Sequence, residues 1–216
     1  MQFIYESLSY LLIVVIGLLP IANPFSTAPI FLTVSSKLDD DSKKRLLKLT
    51  CQFMFSILIT FLLAGALILS FFGISVDALR FAGGLIILVL GFRMLFPGTQ
   101  VENDQLEVNT YEQARGLAFT PLAMPMLSGP GSIAIIISMA ADISKEPNIL
   151  ERIFGYFVVG LGIFITVLIC WIVLRSSTKI IKILGPSGID ALTRIMGFIL
   201  ICLGVEFMAS GIRGYF

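Results

Sequence analysis

Two ten-residue stretches carry the residues whose types and spacing could do chemistry, PIANPFSTAP at residues 20–29 and PLAMPMLSGP at residues 121–130. Each has three prolines at matching places, Pro20, Pro24 and Pro29 against Pro121, Pro125 and Pro130, inside an otherwise unbroken apolar run. A proline within a helix removes a backbone donor and clashes with the carbonyl one turn earlier, so each stretch predicts a break between two half-helices. In hydrocarbon such a break is tolerated only where the freed backbone groups are buried in protein or line a watery cavity. The chemistry this suits is the holding of a small polar solute.

The half-helices before the breaks are expected to end near Leu19 and Thr120, leaving carbonyls that can accept from an ammonium. Those after the breaks are expected to restart with Pro29 and Pro130 in their first turns, pointing N–H groups and the positive dipole end at a carboxylate. Asn23, Ser26 and Thr27 in the first break, with Ser128 and Ser132 in or just after the second, add neutral donors and acceptors. Gly129 and Gly131 let the backbone come close to whatever is bound. With Pro24 and Pro125, which set the breaks, these residues form the candidate substrate-binding set. The plainer alternative is that the prolines only kink and the hydroxyls satisfy local carbonyls; duplication at matching positions weighs against it.

No acid or base falls in either break, which fits a small neutral or zwitterionic solute better than a strongly charged one. Among ionisable residues inside apolar runs, Glu206, in GVEFMAS, is the candidate proton relay, and Arg93 is expected to snorkel. No metal or cofactor is called for; a proton or Na+ is the candidate coupling ion.

The elements that must position these residues follow from composition. Of 216 residues 57% are hydrophobic and only 13% charged, the balance of an integral membrane protein and not of a soluble domain. A net charge of +1 without a long basic run argues against nucleic acid as a partner. The absence of histidine removes the usual zinc ligands and the histidine base of most hydrolytic triads, so no enzyme is expected. Cys51, Cys170 and Cys202 are far apart in sequence and suggest neither disulfide nor metal. The opening MQFIYESLSY lacks a positively charged start, so the first apolar run is kept as a span.

Six spans are expected, near residues 8–35, 50–72, 77–96, 115–141, 152–174 and 190–212, the first and fourth long because each is broken. The charged stretch at residues 37–48 and the acidic one at 97–115 are expected to be solvated connections, as is the loop holding Ser177 after span five. Asp77 and Asp190 are expected to open and cap spans three and six.

A second internal match joins VDALRFAGGLIILVLG (residues 76–91) to IDALTRIMGFILICLG (residues 189–204) without gaps. It includes Gly84 with Gly197 and Gly91 with Gly204, whose seven-residue spacing predicts close helix packing. The chain therefore reads as one transmembrane domain of two three-span repeats, about 1–96 and 115–216, joined by a loop at 97–114. An odd number of crossings per repeat turns the second upside down relative to the first. Eleven of the fifteen Lys and Arg fall on the side of the loops after spans one, three and five. By the positive-inside tendency that side is cytoplasmic and both termini lie outside.

At these motifs the chain resembles the MarC family of bacterial inner-membrane proteins, also catalogued as UPF0056. The carriers are LPIANPFSTAPIFL (19–32), DALRFAGGLIILVLGFRMLFP (77–97), FTPLAMPMLSGPGSIA (119–134) and RIMGFILICLGVEF (194–207). The resemblance implies a multi-pass protein of the bacterial cytoplasmic membrane, similar to SnatA-type transporters of small neutral amino acids such as glycine and alanine. It points most directly at Asn23, Pro24, Pro125, Gly129, Pro130 and Gly131. The expectation is a secondary transporter working by alternating access in membrane lipid, with a homo-oligomer as a candidate assembly. Transport of another small polar metabolite, an intramembrane enzyme or lipid-head-group handler, and a non-transporting partner protein are the competing readings.

Overall fold

The computed structural model describes residues 2–96 and 111–215. Every element among them is helical. In order they are α1 (Gln2–Ala22), α2 (Pro24–Ser35), α3 (Asp40–Phe72), α4 (Val76–Leu95), α5 (Tyr111–Leu117), a wide-turned segment at Ala118–Leu127, α6 (Pro130–Ser144), α7 (Ile149–Arg175) and α8 (Ser177–Tyr215). Four of these, α3, α4, α7 and α8, are each long and apolar enough to cross a bilayer alone. Ser9–Ala22 with Pro24–Ser35, and Arg115–Leu127 with Pro130–Ser144, qualify as pairs bent by 46° and 64°. Neither bend reaches the reversal that a hairpin returning to its own side needs, and counting each pair as one broken crossing brings the four spans to six. The fold is all-α and multi-pass, with up to six spans of which the first and fourth are broken.

The core lies where α1, α3, α6 and α7 meet, with Leu18, Met54, Leu58, Ile136 and Ile163 fully enclosed. Small residues bring these helices close: a Cβ on Gly65 would lie 2.6 Å from Ile137, and one on Gly162 would lie 2.6 Å from Val14. The outward faces are equally apolar, with Phe71 84% and Leu67 73% exposed. Such a surface suits hydrocarbon and would be an aggregation hazard in water.

The closest helix pairing joins α4 to α8. They run antiparallel, with Gly84 against Gly204, Gly91 against Gly197, and Gly211 against Asp77 and Phe81. The third span of each repeat therefore packs on the third span of the other.

Three expectations are corrected. The stretch at 37–48 is no linker, because α3 begins at Asp40. Asp39 caps it by accepting from the N–H groups of Asp41 and Ser42, and Lys43 and Lys44 stand 4.0 and 3.2 Å from Asp40 and Asp41. Hydrogen bonds from Ser42, by side chain and backbone, hold the Asp39 carboxyl below its ordinary pKa. Only Ser176 separates α7 from α8, and Ser177, expected in a solvated loop, is buried. The α8 helix breaks at Gly185 (φ 65°) and restarts at Pro186, so Asp190 lies four residues into the part that carries span six, where it pairs with Arg194 at 2.9 Å. Asp77 does sit in the first turn of α4, but Ser75 is the cap, accepting from the N–H of Ala78 at 3.1 Å. Most of the expected connecting loop, residues 97–110, lies outside the described residues; 111–114 belong to α5.

Candidate functional site

The first break is a single residue wide. Asn23 has φ 31° and ψ 69°, a left-handed conformation that asparagine tolerates better than most residues, and it turns the chain from α1 into α2. Its Oδ1 accepts from the N–H of Ser26 at 3.3 Å while its Nδ2 donates to the Ser26 hydroxyl at 2.6 Å. The helix restarts at Pro24, not at Pro29 as expected: Pro24 is its first residue, and Pro29 lies within α2. A proline at the first position loses nothing, since that N–H has no helical partner anyway. Its missing N–H also leaves the carbonyl of Pro20, four residues back, without its helical donor. Pro20 itself lies within α1, which runs past the expected end at Leu19 to Ala22.

The second break is wider. Thr120 and Met124 leave helical geometry within the wide-turned segment, and α6 restarts at Pro130 as expected. Ser128 closes the turn, its N–H and its hydroxyl both donating to the Ala123 carbonyl at 2.8 Å. Gly129 precedes α6 and, having no side chain, cannot cap it. Ser132, in the first turn of α6, is 1% exposed, and its hydroxyl finds no partner among the described residues.

Between the two breaks lies a cavity of about 240 Å³. Of the expected site residues, Asn23, Ser26, Thr27, Pro125 and Gly129 line it. Pro24, Ser128, Gly131 and Ser132 do not. Gly131 is a packing position, where a Cβ would lie 2.9 Å from Ile87 and 3.3 Å from Ile21. The Thr27 hydroxyl donates to the Asn23 carbonyl at 3.2 Å, and that of Ser26 is 2.8 Å from the Thr193 hydroxyl on α8. Glu206 is outside the cavity, on an exposed stretch of α8, 3.1 Å from Arg213. Arg93 is exposed near the end of α4.

The rest of the lining is apolar: Ile21 and Ile30 from the first span, Leu90 and Met94 from α4, Met126 and Pro130 from the second break, and Leu200 from α8. None of the lining side chains is ionisable. Sequence reading missed the contributions of α4 and α8. Leu90 and Met94 stand one turn apart, and Leu200 aligns in the repeat with Ile87, the residue packed on Gly131. A search for identities between repeats passes over Ile87 and Leu200 because the two differ. Their shared position was the available signal.

From the cavity toward the other end of α4, the helix is sealed against α6. Ile87 meets Gly131, and Gly83 lies against Ala134, where a Cβ on the glycine would be 2.5 Å away. Arg80 closes the seam: its Nε donates to the Ser138 hydroxyl at 2.7 Å, its Nη2 donates to the Asp142 carboxylate, and its Nη1 is 3.7 Å from Asp77. Arg80 and Thr193 occupy aligned positions of the two repeats, and each reaches the second half-helix of a broken span, Arg80 to α6 and Thr193 to α2.

Comparison with known proteins agrees with the motifs. A family profile described as "MarC family integral membrane protein" matches residues 8–216. The UPF0056 inner membrane protein MarC of Escherichia coli (strain K12) is 37% identical over 203 residues, covering 90% of each chain, and that of Shigella flexneri matches equally. No solved structure matches. The chain belongs to the MarC family of integral membrane proteins.

Proposed function

We propose that the chain is a secondary transporter that moves a small neutral amino acid, such as glycine or alanine, across the bacterial cytoplasmic membrane, with both termini outside. The observation that carries the reading is the cavity between the two breaks, with hydroxyls and an amide in its wall and no ionisable side chain. A net charge buried there would have no counter-charge, whereas a zwitterion brings its own. Its carboxylate has α6 to face, a helix start without a side-chain cap, where an anion gains about 0.3 to 2 kcal/mol. For its ammonium there is the Pro20 carbonyl near the end of α1, which the missing Pro24 N–H leaves without its helical donor. A volume of about 240 Å³ suits a solute smaller than a drug-sized ligand.

Alternating access gives the Arg80 seam a role. In this conformation α6 is fastened to α4 between the cavity and the end of α4 that carries Arg80, and passage on that side requires the fastening to open. The matching contact of Ser26 with Thr193 is a single hydroxyl pair, a lighter closure at the aligned position.

Thermal unfolding of the purified protein with added solutes tests the reading. A solute that binds the folded state at a hundred times its Kd stabilises by about 2.7 kcal/mol. Glycine, alanine or serine should raise the melting temperature and lysine and glutamate should not; stabilisation by the charged pair alone would reverse the assignment.

A further inference from the structure

Away from the cavity, two adjoining depressions at one end of α3 and α7 have opposite chemistry. The first, about 160 Å³, is lined by Lys43, Lys44 and Arg175 together with the hydroxyls of Ser36, Ser177 and Thr178, and no acid is among its lining residues. The second, about 310 Å³, is a groove between α3 and α7 walled by Phe55, Phe164, Val167, Leu168 and Trp171, with Lys48 at its head. They share no lining residue but are linked by a cation–π contact, the Arg175 guanidinium of the first lying 4.8 Å over the Trp171 ring of the second. Lys44 and Lys48 are one turn apart on α3 and share a helix face.

The groove opens outward, since Phe164 is 52% and Leu168 43% exposed, so in a bilayer it faces acyl chains. From Lys48 to Phe55 it extends about 10 Å along the helix axis. A tryptophan between an apolar wall and a cluster of cations marks the level where hydrocarbon gives way to head groups. The ion pairs of Lys43 and Lys44 with Asp40 and Asp41 are surface pairs, and such pairs yield readily to a better anion.

We propose that this is a binding site for an anionic phospholipid, its phosphate among Lys44, Lys48 and Arg175 and one acyl chain along the α3–α7 groove. The hydroxyls of Ser36, Ser177 and Thr178 hydrogen-bond the head group, and Trp171 stacks over the glycerol region beside Arg175. A free phosphate has no use for the groove, and a neutral lipid has none for the cations; only the combined ligand fills both. The site also accounts for the buried Ser177, which the α7–α8 junction holds at the pocket wall.

Trp171 is the single tryptophan of the chain, so its fluorescence reports the groove directly. The full chain is reconstituted in phosphatidylcholine vesicles containing phosphatidylglycerol, with brominated acyl chains on one lipid or the other. Brominated phosphatidylglycerol should quench Trp171 with a relative affinity several-fold above that of brominated phosphatidylcholine. The variant Lys44→Gln/Lys48→Gln, which leaves the Arg175–Trp171 contact in place, should lose most or all of that preference. The variant Lys179→Gln/Lys182→Gln, on the same side but outside both depressions, should keep it. Equal quenching by the two lipids, an equal loss in both variants, which would mean diffuse attraction, or removal of the preference by millimolar inorganic phosphate at constant ionic strength would each overturn the assignment.

Discussion

Gly84 and Gly204 touch backbone to backbone: a methyl group on Gly84 would lie 2.7 Å from the Gly204 carbonyl oxygen. Gly91 and Gly197 meet in the same way at 2.8 Å. Because Gly84 aligns with Gly197 and Gly91 with Gly204, each contact is the image of the other under exchange of the repeats. Side chains at these four positions have no room, since the obstacle is main chain and not a movable side chain. Gly91→Leu should therefore destabilise by about 1 to 3 kcal/mol or prevent folding. Gly17→Ala, with nothing within 4 Å of the new methyl, should stay within about 0.5 kcal/mol of the parent. Thermal unfolding in detergent compares them.

The conformation of Asn23 separates its backbone role from its side-chain role. Asn23→Gly keeps the left-handed turn and should cost only a few tenths of a kcal/mol, whereas Asn23→Ala loses the cap and also strains φ, for about 1 kcal/mol or more. The order of melting temperatures, parent then Gly then Ala, checks this. An alanine variant as stable as the glycine one would remove the left-handed turn from the account.

The two breaks, the close packing at the repeated glycines and the all-helical, multi-pass build were legible from proline spacing, glycine spacing and apolar length. What was not legible is which proline starts a helix. Pro24 and Pro125 align, yet Pro24 opens α2 while Pro130, not Pro125, opens α6. The difference lies in Asn23, which can turn the chain alone, while the second half has Met124 there and spends the turn over several residues. Ser128 and Gly131 carried the right residue types for a site, but one is consumed by the Ala123 carbonyl and the other by packing on Ile87. The early start of α3 was readable from the Asp–Lys pairs at i, i+3, which the density of charge obscured. Thr193 had no signal without its partner Ser26.

Arg80 should act as a latch. Removing one partner of a charged hydrogen bond costs about 1.5 to 3 kcal/mol. If that energy holds the seam shut, Arg80→Gln or Asp142→Asn should raise access to the cavity from that side about ten-fold or more. Labelling of Thr27→Cys by an impermeant maleimide, in a background with Cys51, Cys170 and Cys202 replaced, measures it. Unchanged labelling would make Arg80 a structural ion pair only.

The distribution of Lys and Arg predicts that the loop between α2 and α3 is cytoplasmic and that Tyr215 lies near the outer face. A reporter active only outside the cytoplasm, fused after Phe216, should be active, and one active only inside should be silent. The reverse result would invert the topology while leaving the repeat intact.

The central claim is that the space between the breaks carries a zwitterion, and counterflow in proteoliposomes tests it most directly. Vesicles loaded with unlabelled alanine should accumulate labelled alanine, and internal glycine or serine should drive the exchange while lysine and glutamate should not. Met126→Trp, which adds bulk at a cavity-lining position without touching a cap, should fold like the parent and lose the exchange by at least about ten-fold. Exchange by Met126→Trp at the parent rate, or an exchange driven by lysine or glutamate and not by alanine, would contradict the account.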